Sequence, residues 1–294
     1  MGAAAAFDDL VAFLRARDDA EPGVAASMRS VAVEGRPGAG AIVLLHGLTA
    51  SPPAWRAVAG ALAACGRTVI VPRLPLHGYT DRMTTALRDI TARRLFDDVS
   101  SIVRAVAAGG EAVTVAGHSL GATLALDVAA RGPAIARVVA VAPFLGIAGV
   151  PHELHPLLVR VLGLVPDVFL WWDPVKRERL EPLHGYPRYP LRALLAGLTI
   201  ADHVRDDAAR LPHAQAVDIV INESETSVNN RTALQLAAAW RRAGASIAVH
   251  RLRDLGWSHD IIEPVRPPAR RALATLVEII DGVHAPLDRD HLLS

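Results

Sequence analysis

Short, almost uninterrupted apolar runs alternate along this chain with longer amphipathic stretches. Ala41 to Leu45 (AIVLL), Thr68 to Val71 (TVIV), Ala112 to Ala116 (AVTVA), Arg137 to Ala142 (RVVAVA) and Val217 to Ile221 (VDIVI) are four to six residues long and rich in β-branched side chains. Such runs suit strands covered on both faces, and therefore a parallel sheet. A last strand is expected near Ser246 to Leu252 (SIAVHRL). Between the runs lie helical patterns at Pro52 to Ala64, Ala92 to Ala108, Leu120 to Arg131 and Asn229 to Ala243, with Gly244 placed to end the last of them. No internal repeat interrupts the alternation. The pattern predicts a doubly wound α/β sheet with right-handed crossovers.

One region departs from it. From about Leu145 to Val204 the chain is rich in proline and carries Phe169, Trp171, Trp172, Tyr186 and Tyr189, yet shows no clear strand. It reads as a mainly helical insertion placed over the sheet. The expected organisation is a core in two parts, 1–144 and 205–294, with a cap over 145–204.

Composition changes this picture mostly by exclusion. The chain has 294 residues, enough for one large domain with an insertion, and a formal net charge of +1, so no surface field argues for nucleic acid or another polyanion. Its single lysine is Lys176, and its single cysteine, Cys65, allows no intrachain disulfide and suits a reducing cytoplasm. The start, MGAAAAFDDLVAFLRARDD, lacks a basic n-region and sets Asp8 and Asp9 where a secretory core would run on, so no export is expected. The longest apolar segment, Pro156 to Trp172, is broken by Arg160, Pro166 and Asp167, which argues against a spanning helix of about 20 residues and against stable membrane insertion.

The chemistry is concentrated where the strand AVTVA runs into Gly117-His118-Ser119-Leu120-Gly121 and then a helix. A sharp strand-to-helix turn forces its central residue into strained angles and brings neighbouring backbone so close that side chains at 117 and 121 would collide. Two glycines relieve the collision. The turn raises the Ser119 hydroxyl at a helix N-terminus, where partial positive charge and N–H groups favour an oxyanion. A glycine-rich turn with an incidental serine would look the same in isolation. Two further stretches separate the readings. The strand AIVLL ends in His46-Gly47-Leu48, followed by Thr49-Ala50-Ser51-Pro52-Pro53, where Ser51 can cap a helix whose first turn accepts proline, and Ser258-His259-Asp260 follows the last strand.

With these three motifs over roughly residues 30–280, the chain resembles the α/β-hydrolase superfamily, and within it bacterial carboxylesterases and monoacylglycerol-lipase-like serine hydrolases with a small cap. The resemblance implies Ser119 as nucleophile, His259 as base, and the backbone N–H groups of Leu48 and Leu120 as oxyanion hole. A serine hydroxyl is a poor nucleophile until an imidazole takes its proton, and a carboxylate must hold that imidazole in one tautomer. Among twelve histidines, His46 and His118 belong to the motif loops, while His152, His155, His184 and His203 look solvated. The acid should follow the strand after the cap, in Asn222-Glu223-Ser224-Glu225. Glu225 takes the matching position, where relatives usually carry aspartate. Glu223, Asp254 and Asp260 remain alternatives.

His152 and His155 lack the rest of a zinc shell, and no glycine loop ends in Lys-Ser or Lys-Thr, so neither metal nor other cofactor is implied. About half of the thirteen aromatics lie in or beside the insertion, either as an apolar roof for an acyl group or simply as fasteners of cap to sheet. The expected activity is a serine carboxylesterase acting on short-to-medium acyl esters, with monoacylglycerols within reach. Its partners are a small-molecule ester and at most a second copy of the chain. The same triad serves thioesterases, amidases, carbon–carbon bond hydrolases and acyltransferases, and some members of the superfamily bind small ligands without catalysis.

Overall fold

A computed structural model describes residues 3–175, 184–207, 212–256 and 258–282. The parts of the expected cap and core at 176–183, 208–211, 257 and 283–294, Lys176 among them, lie outside the described residues.

After helix α1 (Ala3–Asp19) come strands β1 (Val31–Val33) and β2 (Ala41–Leu45), helix α2 (Arg56–Ala64), β3 (Thr68–Val71), α3 (Ala92–Ala107), β4 (Val113–His118), α4 (Leu120–Arg131) and β5 (Ile135–Val141). After the insertion the chain returns through β8 (Ala214–Asn222), α7 (Asn230–Arg242), β9 (Ile247–Leu252) and α8 (Pro267–Asp281). The main sheet has seven strands in the order β1-β3-β2-β4-β5-β8-β9. All pairings are parallel except that of β1 with β3. The edge strand β1 is three residues long and largely exposed, without the continuous apolar run that marks the buried strands.

Alternation along the strands builds two cores. Val43 and Leu45 of β2 face one, with α3, α4 and α7, while Ile42 and Leu44 face the other, with α2 and α8. Every residue of β2 is buried, which is why its sequence reads as unbroken apolar. From β2 the chain turns to one side, to β3, and then crosses to the other side of β2 to form β4. The carboxyl ends of β2 and β4 therefore flank the point where strand order reverses, the place where open α/β sheets open a crevice.

The insertion departs from expectation by containing strands. Helix α5 (His155–Leu162) is followed by β6 (Phe169–Trp171), which pairs antiparallel with β7 (Arg188–Pro190), and then by helix α6 (Leu191–Asp206). At three residues each, β6 and β7 are too short to show a period, and Asp167 and Pro187 flank them, so no strand pattern could emerge. A small core of Leu191, Leu195 and Leu198 gathers Phe144, Leu158, Leu162 and Leu170. The rings mostly fasten the insertion down. Phe169 lies between the guanidiniums of Arg88 and Arg188, and Trp172 packs on Tyr189 at 4.5 Å between ring centroids. Among the described residues no helix is long and apolar enough to cross a membrane.

Candidate active site

The β4–α4 turn has the strain its glycines imply. Ser119 sits at φ 56° and ψ −118°, a region that L-residues enter only when their surroundings impose it. A Cβ on Gly117 would stand 2.2 Å from the carbonyl of Gly121, and one on Gly121 would stand 2.2 Å from the carbonyl oxygen of Leu45. The backbone then locks. Ser119 N–H donates to Val141 O at 3.0 Å, and Ser119 O accepts the N–H groups of Thr123 and Phe144.

Above this turn three side chains meet. The Ser119 hydroxyl donates to His259 Nε2 at 2.8 Å, and His259 Nδ1–H donates to Glu225 Oε2 at 2.8 Å. The Glu225 side chain has no exposed surface, and its second oxygen accepts the N–H groups of Thr226 (2.8 Å) and Ser227 (2.6 Å). Burial by itself would raise the Glu225 carboxyl. The hydrogen bond and charge of His259, with the Ser227 N–H, outweigh it and hold the group below the ordinary carboxylate range. Of the other acids considered, Glu223 points outward to Arg251 and Arg253, and Asp260 accepts the N–H groups of Ile262 and Glu263. The carbonyl of Asp254 accepts from Arg271. The carboxylate that meets His259 Nδ1 is that of Glu225.

Neighbours hold the His259 imidazole in place. His118 Nε2–H donates to the carbonyl of His259 at 3.0 Å, and its ring lies 4.9 Å from the His259 ring. Burial, and the nearby His259, push the His118 imidazole down to about 4, so it stays neutral. The amide of Asn222 donates to Gly256 O (2.7 Å) and Ser258 O (2.9 Å), fixing the loop that carries His259. Asn222 was not singled out from sequence. In the structure it is a fully buried amide closing strand β8, just before the loop that carries Glu225.

The loop after β2 passes against the serine, because Gly47 has no side chain: a Cβ there would lie 3.3 Å from Ser119 Cβ. His46 braces it. Its Nε2 accepts Leu74 N–H at 3.0 Å, so Nδ1 carries the proton and donates to Gly47 O at 3.0 Å. Leu48 follows on this loop, and Leu120 opens helix α4, whose first N–H groups have no acceptor within the helix. Two sequence expectations are corrected here. Ser51 makes no capping bond, since its hydroxyl donates to His184 O and sits against Met28 Sδ, and Pro52–Trp55 forms a 3₁₀ turn before α2. His155 is not solvated but fully buried, with Nδ1 accepting from Arg205 and Gly146 leaving room for its ring. The amphipathic spacing of α5 gave no hint that its first residue turns inward.

His184 is one-quarter exposed and pairs with Glu263 at 3.0 Å, and His152 lies 3.4 Å from Glu153. Among the described residues no group of three or more His, Cys, Asp or Glu is arranged to hold a metal ion.

A strained serine turn after a central strand, a histidine after the last strand and a carboxylate between them in sequence meet at the carboxyl edge of a mostly parallel α/β sheet. A family model described as the alpha/beta hydrolase family matches residues 42–293, and the chain belongs to that family. No curated protein sequence matches the chain. Solved structures are similar in fold. One reported with the metagenome-derived lipolytic enzymes LipS and LipT is 18% identical with a TM-score of 0.66, over 88% of this chain and 99% of that one. A monoacylglycerol lipase from Paleococcus ferrophilus is 20% identical with a TM-score of 0.64, over 87% and 100%. A thermostable carboxyl esterase from Bacillus coagulans, in complex with glycerol, is 13% identical with a TM-score of 0.65, over 87% and 94%.

Proposed function

We propose that this protein is a serine ester hydrolase whose nucleophile, base and acid are Ser119, His259 and Glu225. The observation that carries the reading is the unbroken chain of two 2.8 Å hydrogen bonds from the Ser119 hydroxyl through His259 to the Glu225 carboxylate. The similar folds named lipase and esterase support it.

Ser119 Oγ attacks the ester carbonyl while His259 Nε2 takes its proton, and the carbonyl oxygen, now an oxyanion, is held by the N–H groups of Leu48 and Leu120. Glu225 stabilises the imidazolium and keeps its Nδ1 proton in place. His259 then hands the proton to the leaving alcohol, giving an acyl-enzyme on Ser119. Water, deprotonated by the same imidazole, attacks the acyl carbon, and as the bond to Ser119 Oγ breaks the imidazolium returns its proton to that oxygen and the carboxylic acid departs. The preferred substrates are short-to-medium acyl esters, monoacylglycerols included, a reading supported by the similar folds named lipase and monoacylglycerol lipase and by the aromatic, apolar composition of the insertion.

Ser119→Ala is expected to lower turnover of a p-nitrophenyl ester by roughly six orders of magnitude and to abolish labelling by a fluorophosphonate, which reacts with activated serines. A variant that hydrolyses at near-normal rate would overturn the assignment. A panel of acyl esters of increasing length, with one thioester and one amide, defines the substrate range.

A further inference from the structure

The insertion does more at the site than cover it, because two of its groups close on a single strained residue. Thr49 follows Leu48 and has φ +66°, the left-handed region, where a β-branched side chain is crowded against its own backbone. It is 1% exposed. The side-chain hydroxyl of Thr49 accepts the indole N–H of Trp172 at 2.9 Å, and its carbonyl accepts the backbone N–H of Tyr186 at 2.9 Å. Both donors come from the insertion, one just after β6 and one just before β7. Tyr186 is itself pinned, its hydroxyl donating to Leu76 O at 3.1 Å and accepting Tyr79 N–H at 3.0 Å. The Trp172 ring is backed by Tyr189 at 4.5 Å yet 42% exposed, so its main anchored contact with the core is that N–H. On the other side of Thr49, the Ala50 N–H donates to Gly47 O at 3.2 Å.

Thr49 is the third residue of the turn that the Ala50 N–H closes on Gly47 O, so its left-handed backbone helps set the conformation of Leu48 within that turn. Strain at such a position persists only where surrounding contacts hold it. Here those contacts reach Thr49 from the insertion.

We propose that Trp172 is a positioning residue: its indole N–H, acting on the Thr49 hydroxyl, holds the 47–50 loop in the conformation that aims the Leu48 N–H at the oxyanion. The inference rests on the serine-hydrolase reading above. In this arrangement the insertion and the oxyanion hole move together. Displacing the β6–β7 hairpin releases Thr49, and the hole relaxes while the Ser119–His259–Glu225 chain stays intact.

The test uses the full chain and three variants. Trp172→Phe keeps the ring on Tyr189 and removes the N–H, Thr49→Val keeps the shape and removes the acceptor, and Thr49→Ser keeps the acceptor. For p-nitrophenyl butyrate, Trp172→Phe and Thr49→Val should each lower kcat about tenfold with KM within twofold, a part of the 10²–10³ that loss of a whole oxyanion donor costs. Affinity for a trifluoromethyl ketone, whose adduct carries the oxyanion, should fall by the same factor. The double variant should be no slower than either single one, because both remove the same bond. Thr49→Ser should retain wild-type kcat. The acid limb of the pH–rate profile should not move, since His259 and Glu225 are untouched.

The proposal is overturned if kcat and ketone affinity stay within twofold of wild type in Trp172→Phe, or if only KM changes, or if the two single effects add. Should Thr49→Val not fold, the Trp172→Phe result decides alone, since that ring is partly exposed and the change empties no packed site. Retained labelling of Ser119→Ala by the fluorophosphonate would instead sink the parent reading, whereas its loss beside an unaffected Trp172→Phe sinks only this one.

Discussion

The turn that carries Ser119 and the insertion above it are held by different physics. At the turn, backbone lies on backbone: the positions of Gly117 and Gly121 leave no room for even a methyl group, and every residue of α4 from Leu120 to Ala130 is buried. In the insertion, a core of three buried leucines supports a surface on which eight of the eleven exposed large apolar side chains of the described residues lie, from Leu154 to Val175. Helix α6 packs Ala193, Ala196, Ile200, Ala201 and Val204 into the main core, whereas what joins the β6–β7 pair to the body is polar and dispersed. Arg188 donates to Met83 O, Arg82 to Gly185 O, Trp172 to Thr49 and Ser51 to His184 O. Dense sterics fix the Ser119 backbone and leave little room for adjustment. At the 47–50 loop, a few hydrogen bonds between distant segments take the place of backbone-on-backbone sterics.

Four measurements sharpen or break that contrast. The largest effect is expected at the acid: Glu225→Gln should lower kcat by about 10⁴, because a carboxamide cannot hold the imidazole tautomer or stabilise its charge. Glu223→Gln, which loses only surface pairs with Arg251 and Arg253, should stay within twofold. The reverse ranking would reassign the acid. Next, Gly121→Ala should cost at least about 3 kcal/mol of stability in chemical denaturation, as overpacking does where the neighbour is unyielding backbone. A fully stable, active variant would show that the turn is looser than its 2.2 Å clearance indicates.

The third measurement is pH. Burial, the first cause for each, lowers the imidazoles of His77 and His118 from 6.5 to about 4. As pH falls, the unfolded chain takes up these protons first, so native stability declines between pH 6.5 and 4, by about 3 kcal/mol for each histidine. The depressed Glu225 carboxyl acts in the same sense, its contribution fading as pH drops through its folded value. Thermal unfolding between pH 7.5 and 4.5 should show a falling midpoint, and a flat one would contradict the burial of the two rings. The smallest effect is Gly60→Ala in α2, where a new Cβ meets nothing within 4 Å. It should raise stability by roughly 0.5–1 kcal/mol, the helix preference of alanine over glycine, and so serve as the control for Gly121.

Much of the fold was legible because the strands are buried on both faces and so carry a signal in every residue. β2 and β3 occupy the predicted residues, and β4, β5 and β8 differ only at their ends. The edge strand β1 and the β6–β7 hairpin escaped because each strand is three residues long and half-exposed, below the length at which a period of two can register. At the candidate site, local motifs singled out Ser119 and His259, and the structure brings the two side chains together. Glu225 was one of several acids, and only its reach to His259 Nδ1 separates it from Glu223 two residues earlier. Asn222, Thr49 and Trp172 left no local signature, since what distinguishes them is the partner each meets across 34, 123 and 123 residues of chain.

By itself, the sequence determined the alternation of strands and helices, the strained turn at Ser119 and the candidates for each chemical task. These follow from periodicity and from sterics between residues a few positions apart. Only the tertiary structure decided which carboxylate faces the imidazole, that His155 is buried, and that an indole from the insertion meets a hydroxyl of the 47–50 loop. Such choices depend on contacts made across the crevice at the carboxyl edge of the sheet, where segments far apart in the chain are brought within hydrogen-bonding distance.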